Sequence, residues 1–212
     1  MPSISSLDIC AERHLTDYIS PGGPRAFGTY DRCGSPRVFE PVDAFAPGLL
    51  DAPVRGRYVI AMFKEKDETN TKYVELRRNI EDSLRSEVCQ EGEFLAAPPD
   101  NNDAWQLVRK AFISSNNTPG IKAGIVSKML HRKLPNLVPI YDSKLRDFYG
   151  LGSRDTAAYW NALYEDWSAN STRIEKWANG RETSDGRPLS LLRAADIVIW
   201  EHMIGCPSPE FS

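Results

Sequence analysis

Histidine and cysteine are sparse in this chain, and the few present are scattered. His14, His131 and His202, and likewise Cys10, Cys33, Cys89 and Cys206, stand far apart, with no close pair of the kind that ligates zinc or an iron–sulfur cluster. No metal site and no cofactor are therefore expected, and the thiols read as reduced. Long apolar runs are missing too: nothing approaches the ~20 consecutive apolar residues that span a bilayer. The first residues, MPSISSLDICAERH, carry acids early and no continuous apolar core, so they do not read as a secretion signal. These absences together predict a soluble, cytoplasmic protein with no membrane partner. An excess of positive charge is also lacking. Lys plus Arg total 26 against 29 for Asp plus Glu, a formal charge of -3, so any DNA binding must come from a local patch. No hairpin dipeptide sits between two alternating strands, and there is no internal repeat or low-complexity tract.

What is present suffices for one substantial core. The 212 residues are 41% hydrophobic and 26% charged, within the ordinary globular range. A single helical domain over 1–212 is expected, with two small lobes as the alternative arrangement.

Helical patterning dominates. Ser5 and Ser6 open a first helix through Tyr18, stopped by PGGP at Pro21 to Pro24. The run YVIAMF from Tyr58 to Phe63 is too short for periodicity to choose between strand and helix. From Lys72, the residues Tyr73, Leu76, Ile80, Leu84 and Val88 recur at steps of three and four, which is one face of a helix. APPDNND, Ala97 to Asp103, offers Asn or Asp caps to a helix bearing Trp105, Val108 and Phe112. Further helices are expected at Lys122 to Arg132, Ser143 to Tyr149, Thr156 to Trp167, Thr172 to Trp177 and Pro188 to Met203. The fold class is all-α.

The segment 118–150 carries the chemistry. TPGIKAG, Thr118 to Gly124, is a Pro-Gly turn opening a helix, whose unpaired N–H groups and dipole suit a phosphate. Lys122, Lys128, Arg132 and Lys133 add local positive charge there, or else form a solvated basic face. PNLVPIYD then leads into SKLRDF, placing Asp142 at a helix start. An aspartate there is a good N-cap whatever the protein does.

The order of these parts resembles the helix-hairpin-helix DNA glycosylase superfamily, which cleaves N-glycosidic bonds of flipped bases. Across most of its length, the chain also resembles a family of uncharacterised actinobacterial proteins with a KLL-x-RKRP-x-LIPVYD-like stretch and a late LR-x-x-D-x-x-x-W segment. Here these read KMLHRKLPNLVPIYD and LRAADIVIW. The glycosylase resemblance implies a helix-hairpin-helix glycosylase-like bundle acting on DNA or a related nucleobase substrate. Asp142 would be its catalytic carboxylate, stabilising oxocarbenium-like charge, and Thr118, Gly120, Lys122, Gly124 and Lys128 would contact nucleic acid. Eighteen positions before Asp142, where bifunctional members hold Lys, stands Gly124, which implies a monofunctional enzyme without Schiff-base chemistry. The hairpin's second glycine is replaced by Lys122, where a left-handed backbone would cost energy. A non-catalytic module that grips nucleic acid or protein on the same scaffold is the alternative.

Two further features stand out. Asp196 shares a helical face with Leu192 and Trp200 and reads as a partly buried acid in need of an Arg or a helix N-terminus. Phe27, Tyr30, Trp105, Trp160, Trp167, Trp177 and Trp200 are expected in the core, although Phe27 to Asp31 is also a candidate aromatic and acidic loop for base stacking.

Overall fold

The computed structural model describes residues 2–20, 27–152 and 156–205. Among these residues there is no strand, as the all-α reading requires. A lone antiparallel bridge, Glu182 to Pro188, flanks the Asp185–Gly186 turn, where Gly186 takes φ 77°. The proposed PGGP stop and Cys206 lie outside the described residues. Cys33 and Cys89 are buried free thiols, whereas Cys10 is disulfide-bonded, which corrects the reading of uniformly reduced cysteines. No helix of the described residues is long and apolar enough to cross a membrane.

Helix α1, Asp8–Ile19, follows a 3-10 turn at Ile4–Leu7 and buries Ala11, His14, Leu15 and Tyr18. Two short helices come next, α2 at Phe27–Tyr30 and α3 at Pro41–Phe45. YVIAMF falls within helix α4, Gly56–Phe63, burying Val59 and Met62 three positions apart and leaving Ile60 in solvent. Helix α5, Thr71–Arg85, buries Leu76, Ile80 and Leu84 on the expected face. The spacing overshoots at Val88, which is exposed. Ser86 leaves the helical path with ψ 122°, and in the short α6, Glu87–Gln90, Cys89 points inward instead.

Asn102 caps α7, Asp103–Asn116, accepting the Trp105 N–H at 3.0 Å. Such a cap contributes about 1 kcal/mol. It directs Trp105 to the centre of the core, where its ring lies 4.9 Å from Trp160 and 5.2 Å from Phe94. Then come α8, Ala123–His131, and α9, Ser143–Phe148, joined by an apolar approach with Val138 and Ile140 buried. Helices α10, Thr156–Ala169, and α11, Ser171–Ala178, precede the last described helix α12, Leu191–Gly205, which packs against α1, α9 and α11. Of the aromatics expected inside, Tyr30, Trp105, Trp160, Trp167 and Trp177 are buried. Trp200 is only partly covered and packs on the core.

Candidate active site

The approach to Asp142 is clamped from two sides. Ser127 Oγ of α8 accepts the Tyr141 N–H at 2.8 Å, and the Tyr159 hydroxyl of α10 donates to the Ile140 carbonyl at 2.6 Å. At Gly124 a Cβ would sit 3.1 Å from the Tyr141 carbonyl oxygen, a contact tighter than side chains ordinarily make. The small residue lets α8 approach the Tyr141 backbone closely, a reason for glycine at that position independent of any chemistry.

Asp142 then uses its two oxygens differently. Oδ1 accepts the Lys144 N–H at 2.9 Å and caps α9; Oδ2 accepts Lys128 Nζ at 3.0 Å. Capping and pocket lining are thus combined in one side chain. Lys128 also donates to the Leu50 carbonyl at 2.9 Å, and its position on α8 is further tied by the Tyr30 hydroxyl, which donates to the Lys128 carbonyl.

Asp142 and Lys128 line a cavity of about 190 Å³, together with Tyr18 of α1 and with Arg193, Asp196 and Trp200 of α12. The positions 193, 196 and 200 fall on one helical face. Arg193 is buried and divides its donors. Nε and Nη2 each hold Asp31 at 3.0 Å, Nη2 also reaches the Tyr18 hydroxyl at 2.9 Å, and Nη1 donates to Asp196 Oδ2. The expected Arg partner of Asp196 is therefore present on its own helix. Burial pushes the Asp196 carboxyl up to about 6, against the lowering influence of Arg193 and with a further upward push from Asp142. Burial likewise raises Asp31, opposed chiefly by Arg193.

The basic residues of α8 behave differently from expectation. Lys128 is buried rather than turned toward solvent as a phosphate contact. Arg132 and Lys133 hold the buried Asp43 at 2.7 and 3.0 Å. Only Lys122 of the four is exposed; α8 packs on α7 and on the 3-10 turn Ala46–Leu50, and the residues after it are held by Tyr30, Cys33 and Asp43. The concern about its backbone does not arise, since Lys122 is extended at φ -109°, ψ 172°. Gly120 does take a left-handed φ of 75°, with the Tyr58 ring against it, and Tyr73 stacks on Tyr58 while its hydroxyl donates to the Pro119 carbonyl. Thr118 is buried and donates to the Ser114 carbonyl. The segment Thr118 to Gly124 is a well-packed turn, and the cavity is lined by Lys128, Ile140 and Asp142 further along the chain.

In the Phe27 to Asp31 segment, the candidate base-stacking loop, the Phe27 side chain lies outside what the structure describes and two further members turn inward. Tyr30 is wholly buried, and Asp31 is the counter-ion of Arg193. Tyr141 turns its ring onto Tyr159 and Trp160 instead of the cavity. Arg193 and Tyr18 were not anticipated as site residues. A signal for the former was available: a lone Arg and Asp three positions apart inside an apolar helix read as an internal ion pair.

Residues 11–203 match the model of a family described as a family of unknown function (DUF6308). The chain belongs to this family. The matched span includes Tyr18, Lys128, Asp142, Arg193, Asp196 and Trp200, so the whole charged cavity lies within the DUF6308 domain. No curated protein and no solved structure matches the chain.

Proposed function

We propose that this DUF6308 protein is a monofunctional, DNA glycosylase-like hydrolase that cleaves the N-glycosidic bond of a flipped base, with Asp142 beside the anomeric carbon. The observation that carries the reading is the second role of Asp142. Oδ1 alone caps α9, while Oδ2 is held by Lys128 and the residue lines the charged cavity. Bond cleavage at a sugar carbon leaves oxocarbenium-like charge, for which a fixed carboxylate in a partly enclosed site is the natural partner. Trp200 and Tyr18 offer aromatic surface to a base in the same cavity. The resemblance of Thr118 to Gly150 to helix-hairpin-helix glycosylases supports the same reaction class.

Base release from single-stranded and duplex DNA carrying varied lesions tests this. Asp142→Asn retains a capping oxygen but leaves Lys128 without its counter-charge, so thermal melting accompanies the assay; in the folded variant release falls by about 10²-fold or more. Full activity in the variant would exclude Asp142 from the chemistry.

One observation favours a second reading, a non-catalytic binding module. Lys128, Arg132 and Lys133 are spent on internal acids, which leaves little positive charge around the hairpin for a DNA backbone. Under that reading Asp142→Asn alters stability alone, and no base is released by the wild type under any condition.

A further inference from the structure

Within the same cavity, the two carboxylates are not equivalent. Lys128 is committed to Asp142, and the cap N–H of Lys144 occupies the other Asp142 oxygen. Among the described residues Asp196 has one donor, Arg193 Nη1 on Oδ2, and that guanidinium is shared with Asp31. Among the described residues nothing donates to Asp196 Oδ1, although the residue is 4% exposed and lines the cavity. Oδ1 is not among the buried atoms cut off from any partner, which leaves it open to the cavity, and a carboxylate so withdrawn from bulk water with one shared donor is only partly compensated as an anion and is well served by a proton.

We propose that Asp196 is the proton donor of this cavity and delivers its proton to a ring nitrogen of the leaving base. The inference rests on the N-glycosidic hydrolase reading above and adds a second catalytic residue to it. In the step, the bond from the sugar carbon to the base nitrogen breaks and its electron pair stays with the base. The Asp196 proton passes to the base, and the positive charge left on the sugar faces Asp142. Solvent water then adds to the sugar carbon and gives up a proton, and Asp196 is reprotonated from solvent.

The groups that act on Asp196 come from several elements. Arg193 on its own helix and Lys128 of α8 favour the carboxylate, while Asp142 disfavours it. Tyr18 of α1, Tyr30 of α2 and Asp31 are linked to it through Arg193, and Tyr159 of α10 stands near it. The net result, a carboxyl that titrates at about 6, suits a group that donates protons near neutral pH.

Leaving groups distinguish a proton donor from a merely structural acid. A neutral purine needs protonation to leave; 7-methylguanine already carries the positive charge and does not. We expect wild-type release of the neutral base to fall about tenfold per pH unit above 6. Asp196→Asn should lower that release by about 10²-fold or more and remove the alkaline decline, while release of 7-methylguanine drops less than tenfold. Thermal melting of the variant at pH 7 checks its fold, and Asp196→Glu provides a second variant that retains a proton and should recover part of the activity. Equal loss on both bases in a folded Asp196→Asn variant overturns the proton-donor role and leaves the hydrolase reading intact. Absence of release of either base by the wild type overturns both.

Discussion

Lys128 Nζ and Asp142 Oδ2 meet at 3.0 Å across fourteen residues of chain, joining the C-terminal half of α8 to the cap of α9 at the wall of the charged cavity. Both side chains are largely withdrawn from solvent, 6% and 15% exposed, so removing one partner leaves the other under-compensated. Lys128→Met is expected to lower stability by about 3 kcal/mol in urea denaturation. The double variant with Asp142→Asn should lose less than the sum of the two single losses. Strict additivity would show that the pair is not coupled.

Gly120 combines a left-handed backbone with a close aromatic neighbour. A Cβ there would lie 2.1 Å from Tyr58 Cε2. Gly120→Ala should therefore destabilise by about 2 kcal/mol from the backbone term alone, with more from the displaced ring. Adding Tyr58→Phe restores nothing, since the clash involves ring carbons. A variant as stable as the wild type would contradict the turn geometry.

Asp196 makes stability depend on pH in a definite direction. Its folded carboxyl sits near 6, above the ordinary value of 3.8, so the folded state holds the proton more tightly than the unfolded chain. The contribution is complete below about pH 4 and is lost as pH rises through 6, amounting to about 3 kcal/mol for a shift of this size. Comparing denaturation of the wild type and Asp196→Asn at pH 4 and pH 7 isolates it. The two stability curves should diverge by this amount, and parallel curves would contradict the assignment.

His131 works in the opposite sense. Burial, aided by the nearby Arg193, lowers it from 6.5 to about 3, and its Nδ1 lies 2.6 Å from the Val138 carbonyl. The neutral ring therefore donates from Nδ1 in the folded state. Its contribution is present above pH 6.5 and is lost as pH falls toward 3, at about 1.4 kcal/mol per unit over that window. Nitrogen NMR should find the same neutral tautomer at pH 8 and at pH 5, and an imidazolium at pH 5 would rule this out.

Much of the helix pattern was legible in sequence because its causes are local. Apolar spacing marked α5, and Asn102 and Asp142 announced the starts of α7 and α9. The partners of the charges were not legible. Lys128, Arg132 and Lys133 read as a basic surface because nothing nearby in sequence reveals that Leu50, Asp43 and Cys33 will close over them. Those contacts join residues some 80 to 100 positions apart. The acid at 196 could be suspected from its apolar setting, but its sharing of Arg193 with Asp31 depends on how α12 packs against the segment following α2. Val88 shows the converse error, where a regular spacing outlasts the helix that gave it meaning.

The divided use of Asp142 has a practical consequence for anyone who diversifies this domain. One oxygen serves the start of α9 and the other holds Lys128, so a library sorted only for well-folded, abundant protein will be enriched for capping residues at this position, Asp foremost, even with no substrate present. Recurrence of an acid or amide at 142 in such a library would report helix initiation and the Lys128 pairing, and enrichment of Asp beyond that level under selection for turnover would report the carboxylate's part in the reaction.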